Sequence, residues 1–178
     1  MRSNLKDARS GYKYPMVRGS GAFLICIGFG ILIGALWPGA FPMNIRVFVI
    51  AAIVGIVAIP FARRISSLGK PTGLHIGVMS GAVALELVMF WAVFTSLPVD
   101  TPPRVYWLWA FLLVGLHFIP MGLALGKRAV ILGVACIVIA GAGLLLNQIP
   151  FIYLAIADGI LKIGFGASMA ATGLPRTE

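Results

Sequence analysis

Long apolar stretches alternate along this chain with short breaks marked by charge, proline or glycine. Six stretches stand out, at about 21–37, 45–62, 74–97, 105–125, 129–146 and 150–172. Each is close to the roughly 20 residues of helix that cross a hydrocarbon core of about 30 Å. None alternates strictly between apolar and polar over a ten-residue segment, which argues against a membrane β-barrel. Lipid offers no partner to an unpaired backbone group, so helices are what remain. The pattern predicts an all-α, polytopic integral membrane protein with six transmembrane helices in a compact bundle. Breaks of roughly 4–12 residues make consecutive helices antiparallel neighbours, giving three helical hairpins. Spans one to three then run opposite to spans four to six, the topology of inverted-repeat transporters. The organisation expected is a basic tail over 1–20, one six-helix domain over 21–172 and a short tail over 173–178. The first apolar run exceeds the 7–15 residues of a signal-peptide core, and no clear A-x-A site follows it, so it reads as an uncleaved span.

Composition sharpens this picture. Of 178 residues, 60% are hydrophobic and 11% charged, and the mean hydropathy is +1.02. A soluble domain carries roughly 25% charged residues. An ordinary soluble enzyme is excluded, as are a disordered chain, a collagen and a disulfide scaffold, and the spans leave no room for a soluble catalytic domain. Cys26 and Cys136 both lie in apolar runs with no zinc or redox spacing, and read as small hydrophobes.

The net charge of +9 is explained by where the basic residues sit. Arg2, Lys6, Arg9, Lys13 and Arg18 precede the first span. Arg63, Arg64 and Lys70 lie between the second and third, Lys127 and Arg128 between the fourth and fifth, and Arg176 follows the sixth. All eleven fall on one side of a six-span chain, against Arg46 and Arg104 on the other. The positive-inside rule then places both termini in the cytoplasm. The bilayer is the partner this charge implies. Nucleic acid is not, because no basic, aromatic-interleaved surface remains outside the spans. Trp37, Tyr106, Trp107 and Trp109 fall near the outer ends, where an aromatic belt belongs.

Four ionisable residues interrupt the apolar runs: Glu86, His117, Asp158 and Lys162. An acid or a lysine at a helix centre costs about 2.5–3.5 kcal/mol to insert, so such residues face the bundle interior and mark functional sites by default. Counted from the span ends, all four lie within roughly one helical turn of the midplane, at about 1.5 Å of rise per residue. Asp158 and Lys162 are four apart with the acid first, the better order for an ion pair along one helix. Glu86 has no basic partner within a turn of its own helix. It must pair across helices, face water or carry its proton, and His117 is the candidate partner. His75 lies at the start of span three, 11 residues before Glu86, and reads either as an interfacial histidine or as the mouth of a path to Glu86. Its depth is too different from that of His117 for the two to share a haem iron. No cofactor is expected, and no metal, since the Lys162 ammonium would compete with a cation.

Pro120 follows His117 by three residues. It removes an amide donor and opposes the Leu116 carbonyl, so it predicts a helix kink beside the histidine. Kinked helices at midplane polar residues are common in transporter sites. Gly30-x-x-x-Gly34, Gly77-x-x-x-Gly81 and Gly122-x-x-x-Gly126 each set two glycines on one helix face, for packing within the monomer or in a homo-oligomer.

The run Gly115-Leu116-His117-Phe118-Ile119-Pro120 resembles a motif of small multi-pass bacterial membrane proteins without assigned function. The resemblance spans roughly one helix, centred on His117 and Pro120. It implies a bacterial inner-membrane location and carries no activity with it. There is no P-loop, no G-x-G-x-x-G, no H-E-x-x-H and no G-x-S-x-G. Three readings follow. One is a small-solute or proton-coupled transporter or channel with the midplane cluster as its site. A second is an intramembrane enzyme on a lipid-like substrate, with Glu86 and His117 as acid and base. The third is a structural subunit in which the cluster joins helices.

Overall fold

The structure, a computed structural model, describes residues 13–37, 43–65 and 68–172. Of the residues named above, Arg2, Lys6, Arg9 and Arg176 lie outside them, as does the proline- and glycine-containing break over 38–42. Six helices follow in order: α1 (Val17–Leu36), α2 (Ile45–Ile65), α3 (Gly73–Ser96), α4 (Pro103–Leu125), α5 (Lys127–Leu145) and α6 (Phe151–Ala170). Each is long and apolar enough to cross a membrane. Among the described residues every regular element is a helix. Large apolar side chains stand on the outside of the bundle, with Trp91 71% exposed and Ile50 61%. Water would penalise so broad an apolar surface, whereas lipid tails accept it.

Local chemistry sets the helix ends. Asn44 caps α2, its side-chain oxygen accepting from the amide of Arg46 at 3.0 Å, and its own amide donates to the Gly34 carbonyl of α1. Thr72 and His75 form a reciprocal capping box at the start of α3, and the other His75 nitrogen lies 3.0 Å from the Lys13 carbonyl. His75 is therefore committed to holding a helix end. Two arginines cap neighbours: Arg104 donates to the carbonyls of Gly143, in the last turn of α5, and of Leu146 and Asn147 just past its end, and Arg128 donates to the Ser168 carbonyl of α6. Each cation thereby meets the orphan acceptors and negative dipole end of a helix C-terminus.

The hairpins α1–α2, α3–α4 and α5–α6 are each in contact, but the expectation that all consecutive helices are packed neighbours fails at α2–α3. The pairs α1–α2 and α4–α5 are closely packed, and α5 and α6 touch only modestly. The most extensive contact joins the first helix to the last, α1 to α6, while α3 packs on α4. The third helix of each half thus lies against the first helix of the other half. Short connections make consecutive helices close in sequence, but they do not oblige them to pack.

Glycine makes the α1–α6 contact close. A methyl carbon at Gly21 would lie 2.5 Å from the Gly166 carbonyl and the Ala170 amide nitrogen. At Gly28 it would lie 2.7 Å from the Gly159 carbonyl. Gly21 and Gly28 are seven apart, as are Gly159 and Gly166, so each pair recurs after two turns on one face. This seam is not one of the three Gly-x-x-x-Gly faces. Of those, Gly30 and Gly34 pack inside the monomer, toward Ala51 and Met43. Gly126 lies beyond the end of α4 at φ 85°, so Gly122 and Gly126 do not form one helix face. Gly77 and Gly81 have nothing within 4 Å.

Candidate functional site at the centre of the bundle

Three helices arrange the four ionisable residues as two contacting pairs. On α3 the inward positions recur every four residues: Ala82, the only fully buried residue of that helix, then Glu86, then Phe90. This periodicity turns Glu86 toward α4. There Gly115, His117 and Phe118 are buried, and the His117 Nδ1 lies 3.3 Å from a Glu86 carboxylate oxygen. The pair is within ion-pair range, yet Nδ1 has no aligned hydrogen-bond partner among the described residues. The His117 side chain is 8% exposed and that of Glu86 16%, so the carboxylate is the more accessible of the two. α4 runs without interruption through Pro120 to Leu125, and Pro120 is half-buried.

The second pair lies deeper. Asp158 has no exposure and Lys162 has 2%. The ammonium contacts both carboxylate oxygens at 2.5 Å. It also donates to the Cys136 sulfur of α5 at 3.6 Å and stands 5.5 Å from the centre of the Phe111 ring. Phe111, which the ammonium approaches, stands on α4 less than two turns before His117, so the two pairs lie at neighbouring levels of the bundle. Among the described residues, no group of three or more His, Cys, Asp or Glu is arranged to hold a metal ion.

Sequence reasoning missed Cys136 and Phe111. Cys136 sits at the middle of its span, the depth shared by the other four, and that depth was the available signal. Nothing in the local sequence marks Phe111, because aromatic residues are ordinary in these spans.

A cavity of about 320 Å³ opens beside this cluster. Phe48 of α2, Phe90 and Phe94 of α3, and Trp107 and Phe111 of α4 line it, with Lys162 of α6 at its inner limit. It fits between α2 and α3 because those helices do not pack on each other. Ile45, Phe94 and Tyr106 place its outer part near the ends of α2, α3 and α4. It therefore runs from the end of the bundle opposite the Arg63–Arg64 end toward mid-depth. Lys162 is the one of the four ionisable residues that lines it, while Phe90 and Val114 of its wall lie one helical turn along the chain from Glu86 and His117. Its rings form an edge-to-face network, with Phe48–Trp107 centroids at 5.7 Å and Phe94–Tyr106 at 5.6 Å. Trp107 and Tyr106, near the start of α4, thus wall the outer part of a cavity. Trp37, 50% exposed, keeps the outward position a belt residue has.

The wall is apolar and the Lys162 charge is balanced by Asp158, so a neutral, largely apolar molecule fits this cavity best. A free ion would lose its hydration there with little return.

No curated protein and no solved structure matches the chain. One family model does, and it covers residues 7–177, almost the whole length. The chain belongs to DUF6609, a family of unknown function.

Proposed function

We propose that this protein is a proton-coupled transporter of small, largely apolar solutes. The observation that carries the reading is the aromatic cavity ending at a buried ionisable cluster. In this mechanism the solute occupies the cavity between α2 and α3. Glu86 and His117 exchange one proton, and the Asp158–Lys162 pair supplies a fixed, neutralised floor. The exchange of third helices between the two halves supports the reading, since transporter sites form near the midplane between such oppositely oriented halves. An intramembrane enzyme is less well served, because the cavity wall offers few polar groups to orient a reacting bond. The excess of basic residues at one end and the span-four motif support a bacterial inner-membrane location with both termini in the cytoplasm.

Solid-supported membrane electrophysiology tests the proton role without knowledge of the solute. A rapid pH jump on wild-type proteoliposomes produces a transient charge displacement. Glu86→Gln abolishes it, while thermal melting shows the variant folded. An unchanged current in Glu86→Gln means that this carboxylate does not carry the proton.

For a homo-oligomer through small-residue faces, the Gly77–Gly81 face is the one that remains open. Gly77→Leu and Gly81→Leu leave monomer melting unchanged and convert dimer to monomer in native mass spectrometry. An oligomer mass that is unaltered in both variants assigns the contact elsewhere.

A further inference from the structure

A second pocket, of about 250 Å³, lies at the opposite end of the bundle, where α1 begins and α2 ends. Its wall carries four cationic side chains, Arg18, Arg63, Arg64 and Lys70, together with Pro15 and Leu68. The reason lies in chain geometry. α1 begins at Val17, so Arg18 falls in its first turn and not in a solvated tail. Arg63 and Arg64 occupy the last turn of α2, which packs against α1. Leu68 packs on the apolar core and holds the following loop, with Lys70, beside them.

Arg18 is the unusual member. It is only 4% exposed, and its Nη1 is buried with no hydrogen-bond partner among the described residues. The described acidic residues are Glu86, Asp100 and Asp158. Glu86 and Asp158 belong to the central cluster, and Asp100 lies in the loop between α3 and α4 at the other end of the bundle. No described carboxylate lines this pocket. Buried polar groups in native proteins are satisfied, and an apparent orphan calls for a partner. Burying a guanidinium among three other cations is costly unless an anion joins them.

We infer that this pocket binds a phosphate group, with Arg18 as the buried anchor and Arg63, Arg64 and Lys70 around it. A guanidinium fork matches two phosphate oxygens. The N-terminus of α1 adds positive dipole potential beside Pro15 and Arg18. The pocket lies at a helix end, the level at which headgroups sit, and basic pockets between membrane helices take phosphate headgroups. The phosphate belongs either to an anionic phospholipid or to a soluble phosphate compound. This site is separate from the central cluster and stands whether or not the transport reading holds.

The full chain, delipidated in mild detergent, is titrated with dioleoyl phosphatidic acid, with inorganic phosphate and with dioleoyl phosphatidylcholine as control. Native mass spectrometry counts bound molecules, and thermal shift reports affinity. One phosphatidic acid is expected to bind in preference to phosphatidylcholine. Arg18→Gln weakens that binding at least about tenfold, the loss expected for one charge-assisted contact. The glutamine removes a buried charge and should fold at least as well as wild type. Arg63→Gln with Lys70→Gln, at exposed positions, gives an independent loss of binding with the core untouched. Lys127→Gln, a basic residue outside the pocket, leaves binding unchanged. Saturable binding of inorganic phosphate that depends on Arg18 assigns the site to a soluble phosphate compound. Binding of phosphatidic acid alone assigns it to a headgroup. Binding indifferent to Arg18, or weakened equally by Lys127→Gln, overturns the site in favour of diffuse surface charge.

Discussion

Lys162→Met is expected to destabilise the protein by about 3–5 kcal/mol, the cost of breaking a buried ion pair from one side. Asp158 has no solvent exposure, and the ammonium is the group that meets both of its oxygens. Methionine fills much of the lysine volume and leaves the carboxylate without its cation. Asp158→Leu is destabilising for the converse reason, because it strands the ammonium against Cys136 and Phe111. The double variant Asp158→Leu with Lys162→Met removes both charges and should recover most of the loss, since well-packed apolar replacements of buried pairs are often neutral or better. Thermal melting of the four proteins in one detergent completes the cycle. A double variant as unstable as the singles means that packing around the pair matters more than its charge. Recovered stability with the pH-jump current still present assigns the pair a structural role and leaves proton exchange to Glu86 and His117.

Gly21→Leu is expected to prevent α1 from docking on α6. Even the first carbon of the new side chain would fall 2.5 Å from two backbone atoms of α6. Backbone on a packed helix cannot rotate aside as a flexible side chain does. The penalty should exceed the ~1–3 kcal/mol typical of overpacking a core, because the helices themselves must separate. Gly166→Leu should act in the same way from the other side of the seam, where a methyl carbon would stand 2.8 Å from the Gly21 carbonyl. Loss of the monodisperse peak on gel filtration, with Gly164→Leu as a control at an open position, checks this. A folded, normally melting Gly21→Leu protein would show that the seam tolerates a wider helix separation. The α1–α6 seam also carries Asp158 and Lys162 on one of its helices, so its loss should remove the pH-jump current with the fold.

Much of this architecture is legible in the residues themselves. The six helices match the six apolar runs, because spanning depends on local hydropathy and length. The shared depth of Glu86, His117, Asp158 and Lys162 follows from counting residues at a constant helical rise. The Asp158–Lys162 contact follows too, since four residues bring two side chains to one face of one helix. The meeting of Glu86 with His117 is a different matter. It requires that α3 and α4 be neighbours and that each be rotated to present that residue, and the sequence offered it only as a candidate pairing.

Tertiary structure alone decided the rest. The α1–α6 seam, the parting of α2 from α3, the cavity between them and the burial of Arg18 all depend on how helices are turned about their axes. In a soluble bundle an apolar stripe against a polar face announces that rotation. In a bilayer the lipid-facing and buried faces are both apolar, and the stripe disappears. What orients these helices is close packing at small residues such as Gly21 and Gly166, and pairing of the few polar groups. Those are relations between distant parts of the chain. Hydropathy therefore determined which segments span the membrane and how deep their charges lie, while packing determined which helix faces meet and which chemistry they enclose.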